Sequence, residues 1–233
     1  KDIKMDLKDT LNEALKGRLR RLNRTITQSK EECNYFPNDK EELKEIITER
    51  VKEDPQCDLN DIWVGDITDM RYLFSGSHLY SDISRWDVSN VKDMIGIFKN
   101  SNFNGDISTW NVGNVESMNG MFQGSIFNGD ISTWNVGNVK DMGSMFCNCP
   151  FNGDISNWDV SEVKGMSWMF FKSDFNGDIS NWDVRNVIDM DYMFSGSKFK
   201  GDIDSWDVSS VEYTKSMFFK CPLEKNPPKW YKG

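Results

Sequence analysis

The residues best suited to chemistry are six aspartates that recur every 24 residues. Each lies in the motif (G/S)DI, and they are Asp82, Asp106, Asp130, Asp154, Asp178 and Asp202. Stacked carboxylates repel one another, and a ladder of calcium ions would relieve that repulsion. The short GGxGxD repeats that build such ladders are absent. We therefore favour the alternative, in which each carboxylate accepts backbone N–H bonds in a turn, and we predict neither a metal nor a cofactor.

Other groups that could support catalysis are few. His78 is the only histidine, and the motifs GxSxG and HExxH and a phosphate-binding loop are absent. The five cysteines are Cys33, Cys57, Cys147, Cys149 and Cys221. Their odd number argues against a complete disulfide framework, and Cys147-x-Cys149 lacks the second pair that a zinc site needs. We predict that the protein is not an enzyme.

A 24-residue repeat organises the chain from Leu59 onward. It reads FNGDISxW(D/N)VxxVx(D/S)MxxMF, and its tryptophans are Trp86, Trp110, Trp134, Trp158, Trp182, Trp206 and Trp230. We count positions in each repeat from this tryptophan as zero. A fixed period of this length indicates one supersecondary unit that is copied and stacked. The Ile, Phe, Met and Trp positions recur so regularly that we predict they form the core, and we read the stacked asparagines from Asn104 to Asn176 as a ladder of side-chain bonds.

Two periodicities alternate inside one repeat. Residues 103–110 suit a short extended stretch after a turn. Val115, Met118, Met121 and Phe122 have the spacing of one face of a two-turn helix. The expected fold class is therefore an α/β repeat solenoid, with a short parallel strand and a short helix in each 24-residue coil.

The predicted organisation has two parts. Residues 1–56 form an N-terminal helical segment, with a basic helix at 1–30 and a capping helix at 39–52 that begins after Asn38. Residues 57–233 form a solenoid of about seven coils. The C-terminal cap contains four residues that end the repeat: Pro222, Pro227, Pro228 and Trp230.

Charge is distributed unevenly. The chain has a net charge of −9, although residues 1–30 carry nine Lys or Arg and four acidic residues. The acidic body makes direct nucleic-acid binding unfavourable. The basic run in the first helix has three interpretations, namely a partner helix, a contact with nucleic acid or an anionic surface, or a solvated face; its arginines are Arg18, Arg20, Arg21 and Arg24. No apolar run is long enough for a transmembrane helix.

The repeats resemble those of the BspA-like leucine-rich-repeat surface proteins, known also from mycoplasma lipoproteins. The matching text is GDISNWDVSEVKGMSWMF at 153–170 and GDISNWDVRNVIDMDYMF at 177–194. The resemblance covers about residues 35–230 and implies a leucine-rich-repeat-like solenoid. In surface-exposed members it implies adhesion, and it implies no catalytic residues. It points to the cell surface, whereas the absence of a signal peptide favours the cytoplasm; Lys1 is not an initiator methionine, which leaves a removed export signal open.

The best functional clue is where the repeats differ. Most repeats have a small residue at position 10, but two adjacent repeats have aromatic residues there. We predict an apolar binding patch made by Trp168, Phe171, Ile188 and Tyr192. The alternative is that a tail, the N-terminal helix or a second copy covers it. The expected function is a non-enzymatic scaffold, of adhesin or interaction type, that binds another protein. The second hypothesis is an intracellular inhibitor whose acidic surface blocks a nucleic-acid-handling protein or ribonucleoprotein.

Overall fold

The computed structural model describes residues 28–232. Within this range one α-helix, α1, spans Lys40–Glu53, and two 3-10 helices span Lys30–Glu32 and Pro222–Glu224. Extended structure in the described range consists of isolated parallel bridges instead of continuous strands. The predicted basic helix, with Arg18, Arg20, Arg21 and Arg24, lies outside the described residues except for residues 28–30.

The repeats lie on one another in register. Bridges at position 7 join residues 24 apart through the row Asp69, Asp93, Ser117, Asp141, Gly165, Asp189 and Tyr213. Backbone N–H groups donate to the next repeat at alternate residues, as in Met118 to Asp141 (2.9 Å) and Gly120 to Gly143 (2.8 Å). This pattern satisfies the buried backbone between repeats. We infer from it a solenoid of 24-residue coils.

The segment predicted to be helical is a series of tight turns. Met121 N–H bonds to the carbonyl of Met118 (3.1 Å), and Ser125 N–H bonds to that of Phe122 (3.0 Å). Gly120 and Gly124 have φ angles of 60° and 67°, as at the third residue of type II turns. Such left-handed residues cannot belong to a right-handed helix. The prediction of a helix in each repeat was therefore wrong: turns bury the same apolar residues and leave alternate N–H groups for the next coil.

The apolar ladders form one continuous core, as predicted. The phenylalanines at position 12 stack through the coils, with ring centroids 5.7 Å apart for Phe98 and Phe122. Each repeat tryptophan is buried or half-buried, and its indole N–H donates to the carbonyl of the residue 27 positions earlier, as Trp110 does to Ile83 (3.1 Å). The buried polar edge of the indole is therefore satisfied.

Helix α1 covers the first coil. Its N-cap is Asp39, whose side chain accepts a hydrogen bond from the Glu42 N–H (2.9 Å), so the prediction of Asn38 was wrong by one residue. The Glu42 carboxylate accepts from the Asn38 N–H (2.8 Å), one residue before the N-cap, and so holds the chain where it enters the helix. Leu43 and Ile47 are buried in the core cluster. At the other end, Trp230 stacks on Trp206 with centroids 6.4 Å apart.

Candidate protein-interaction surface

The turn series of successive coils forms one side of the stack, which we call the turn face. It comprises positions 9–14 of each repeat, namely residues 71–76, 95–100, 119–124, 143–148, 167–172, 191–196 and 215–220. Positions 11 and 12 supply core residues, and most side chains at the other four positions are exposed or half-buried. Because a rigid core holds these turns, their side chains occupy a fixed frame.

Three of the four predicted patch residues meet on this face. The rings of Trp168 and Tyr192 stack with centroids 4.3 Å apart, and the ring of Phe171 lies 4.5 Å from that of Trp168. All three side chains are half-buried. We call Trp168, Phe171 and Tyr192 the aromatic cluster. Its rings pack against one another and keep part of their surface accessible to a partner.

Ile188 lies in a different row. Its N–H donates to the carbonyl of Lys164 (2.9 Å), and its own carbonyl accepts from Glu212 (2.9 Å), so it belongs to the position 6 row. The side chain is 38% exposed. The ring contacts of the aromatic cluster do not depend on it, and we define the cluster without Ile188.

The backbone at position 10 is left-handed in every repeat. The φ angle is 61° at Trp168 and 56° at Tyr192, and it is 57° and 60° at the equivalent Gly96 and Gly120. A residue with a Cβ costs roughly 1–2 kcal/mol in this conformation, whereas glycine costs little. Bulky residues are unusual there and point to a role other than folding.

Sequence reasoning overlooked Tyr72, which occupies position 10 of the first coil. Its φ angle is 58° and its side chain is 51% exposed. Its ring lies over the next position 10 residue, since a Cβ added to Gly96 would come within 2.5 Å of it. The signal was present in the sequence, because a tyrosine occupies the position that glycine or serine holds in the following three repeats.

Lysine side chains lie against the aromatic rings of the turn face. The Nζ atom of Lys172 is 5.1 Å from the ring centroid of Phe171, and that of Lys215 is 5.9 Å from that of Tyr192. These are cation–π distances. Cationic and aromatic groups therefore adjoin one another on this face.

Cys147 occupies the position of Phe171 in the preceding repeat and is buried, and burial raises the pKa of its thiol.

The aspartate ladder has the predicted turn role. Asp106, for example, accepts a hydrogen bond from the Ser108 N–H (3.0 Å). The N–H groups of the serines two residues later hold the pKa of Asp130, Asp154 and Asp178 below the ordinary value. Residues 28–232 contain no cluster of three or more His, Cys, Asp or Glu side chains arranged to hold a metal ion.

The asparagine ladder bonds differently from the prediction. The Asn128 N–H donates to the side-chain oxygen of Asn104 (2.8 Å), and Asn152 does the same to Asn128 (3.0 Å). These bonds join side chain to backbone, so the prediction of bonds between side chains was wrong. The carboxamide replaces a backbone acceptor where the coils do not pair, which makes the ladder structural.

These features define a repeat protein with an exposed, aromatic turn face. The chain belongs to the family described as Mycoplasma protein of unknown function, DUF285, whose model matches residues 43–150 and 126–230. Comparison with curated proteins and with solved structures gave no match. None of the helices in the described range is long and apolar enough to cross a membrane.

Proposed function

We propose that this protein is a non-enzymatic repeat scaffold, of adhesin or interaction type, that binds another protein through the aromatic cluster. The observation that carries the proposal is the placement of Trp168 and Tyr192. Both are aromatic residues at left-handed positions that suit glycine, and both keep accessible surface on a stacked frame. Tryptophan and tyrosine dominate the binding energy of many protein interfaces.

The arrangement of the cluster supports this proposal. Trp168 contacts Phe171 within its own repeat and Tyr192 in the next one. Because both repeats are fixed by the core, the rings lose little conformational entropy when a partner binds. The more specific family assignment, to the BspA-like leucine-rich-repeat surface proteins, rests on the amino-acid sequence of the repeats. It favours a partner outside the cell.

A second candidate rests on a different surface. The aspartates of the GD ladder are exposed, and turn N–H bonds lower the pKa of Asp130, Asp154 and Asp178. An acidic ladder of this kind could occupy a basic groove meant for nucleic acid, which would make the protein an inhibitor. Such binding would weaken steeply with salt, whereas binding by an apolar cluster would change little.

The test is affinity capture with paired variants. Tagged wild-type protein, Trp168→Ala/Tyr192→Ala and a control, Tyr80→Ala/Ile126→Ala, are incubated with fractions of the source cells and of host cells. Tyr80 and Ile126 are 62% and 55% exposed and lie outside the turn face, so the control removes similar apolar surface elsewhere. We expect the first variant to lose the partner and the control to keep it.

Thermal unfolding separates a binding role from a packing role. We expect the Trp168→Ala/Tyr192→Ala variant to unfold near the wild-type temperature, because its cluster lies outside the core. A large loss of thermal stability would make the cluster part of the core. Equal capture by the wild type and this variant would reject the aromatic cluster as the binding site.

A further inference from the structure

We infer that the turn face binds an acidic segment of the partner protein, whose carboxylates pair with lysines while its apolar side chains pack on the aromatic cluster. This inference rests on the proposed function and specifies the chemistry of the partner. Three observations of the described residues support it: the charge of the turn face, the ion pairing of its lysines, and the distances between these lysines and the aromatic rings.

The turn face has a charge opposite to that of the whole chain. It contains one acidic residue, Asp191, and five cationic residues: Arg71, Lys99, Lys172, Lys215 and Lys220. The chain as a whole has a net charge of −9. Arg71 is already paired with Asp69 (2.8 Å), so the four lysines supply the positive charge that attracts an approaching carboxylate to this face.

The lysines of the turn face differ in their ion pairing from several lysines on other surfaces. Lys140, Lys198 and Lys229, on other surfaces, form ion pairs at 2.7 Å with Glu116, Asp174 and Asp204 respectively. Among residues 28–232, none of the four turn-face lysines forms such a pair. These cations are therefore available to a partner's carboxylates without the loss of an existing pair.

The rings hold these lysines beside the apolar surface. Lys172 lies over Phe171 and Lys215 over Tyr192, and Lys220 lies 5.1 Å from the ring centroid of Phe219. A carboxylate bound to Lys172 or Lys215 would place its own chain next to Trp168. An acidic segment with interspersed aromatic or aliphatic residues satisfies both surfaces at once.

Two other occupants fit less well. Single-stranded nucleic acid also combines stacking with negative charge, but five cations on a strongly acidic protein give weak phosphate affinity. A second copy could offer its exposed aspartate ladder, but each copy has a net charge of −9, so overall repulsion opposes their association. Both alternatives give distinct results in the experiment below.

The experiment measures binding of defined probes by fluorescence anisotropy. The probes are an acidic Glu/Tyr copolymer, a basic Lys/Tyr copolymer and oligothymidylate. We expect the wild type to bind the Glu/Tyr copolymer best and to bind it more weakly as salt rises. Lys172→Glu/Lys215→Glu should bind it roughly tenfold more weakly or worse, because each change replaces attraction by repulsion.

The matched control is Lys92→Glu/Lys164→Glu, which makes the same change in net charge at exposed position 6 residues. We expect it to retain most of the binding. Lys172→Gln/Lys215→Gln, which removes charge without reversing it, should give an intermediate loss, and circular dichroism checks the fold of every variant.

Three results would overturn the inference. The first is that Lys92→Glu/Lys164→Glu weakens binding of the Glu/Tyr copolymer as much as Lys172→Glu/Lys215→Glu does, and the second is that the wild type binds the Lys/Tyr copolymer or oligothymidylate more tightly than the Glu/Tyr copolymer. The third is that the wild type self-associates in sedimentation and Lys172→Glu/Lys215→Glu does not. The proposed function and this inference fail separately: equal capture by the wild type and Trp168→Ala/Tyr192→Ala rejects the proposed function, and the following result rejects the inference alone. If the Trp168→Ala/Tyr192→Ala variant still loses the captured partner while the lysine variants bind every probe as the wild type does, the aromatic cluster binds a protein that is not acidic.

Discussion

The indole N–H of Trp134 donates a hydrogen bond to the carbonyl oxygen of Ile107, 3.1 Å away in the preceding repeat. The equivalent bond recurs from Trp86 to Trp230. One side chain thus fills the core and also gives the Ile107 carbonyl a second donor, beside the Trp110 N–H (3.1 Å). This double role explains why tryptophan marks the repeat.

Replacing Trp134 by phenylalanine should destabilise the protein. The change removes the indole bond to the Ile107 carbonyl, which keeps its bond from the Trp110 N–H (3.1 Å). The loss of this one bond costs about 0.5–1.5 kcal/mol, and the smaller ring adds a cavity. Urea unfolding measures the loss. The control is Trp63→Phe, because the Trp63 indole bonds to the exposed Asp66 carboxylate (2.8 Å), and we expect a change within about 0.5 kcal/mol. Equal losses at the two sites would show that the buried bond is not the cause.

The left-handed backbone predicts that one substitution has opposite effects at two sites. Ser144 has a φ angle of 55°, so Ser144→Gly should stabilise the protein by about 1 kcal/mol. Ser161 is not among the positive-φ residues, so Ser161→Gly should cost about 0.5–1 kcal/mol through backbone entropy. Differential scanning calorimetry of both variants checks the signs. Shifts of the same sign would contradict this account of the turns.

The capping arrangement predicts unequal effects at neighbouring residues. Asp39→Ala removes the side-chain acceptor for the Glu42 N–H and should cost about 0.5–2 kcal/mol. Asn38→Ala keeps the backbone bond to Glu42 and should cost less. Far-ultraviolet circular dichroism during urea unfolding gives both values. A larger effect at Asn38 would restore it as the N-cap.

The pair of Asp69 and Arg71 predicts a pH dependence. The hydrogen bond from the Arg71 side chain is the largest cause that lowers the pKa of Asp69 to about 2. A lowered pKa contributes stability that is present above the unfolded-state value and is lost as the pH falls towards 2. Arg71→Met should therefore raise the pKa of Asp69. Its stability difference from the wild type should persist at neutral pH and shrink in acid.

Carboxyl NMR titration measures the Asp69 pKa directly, and urea unfolding over a pH series measures the stability difference. Asp130 serves as an internal reference, because its pKa is lowered by the Ser132 N–H and not by an arginine. An unchanged Asp69 pKa in Arg71→Met would show that the arginine is not the cause.

Much of the architecture could be predicted from the spacing of residue types. The 24-residue period identified the buried ladders, because each core position repeats the same residue type. The pattern of apolar and charged residues also predicted a helix over 39–52, and α1 spans Lys40–Glu53. For the candidate site, comparison of repeats singled out Trp168, Phe171 and Tyr192, since departures from a repeat stand out against it.

The sequence by itself determined the period, the core residues and the unusual aromatic positions, since these depend only on residue type and spacing. Only the tertiary structure decided how the chain runs between Val115 and Gly124. Apolar spacing of i, i+3 and i+7 fits either a helix or successive turns. The turns are favoured because carbonyls of the next coil accept the N–H groups of Met118, Gly120 and Phe122. The same stacking decided that lysines from separate repeats lie against the aromatic rings, because that proximity arises only when coils are placed in register.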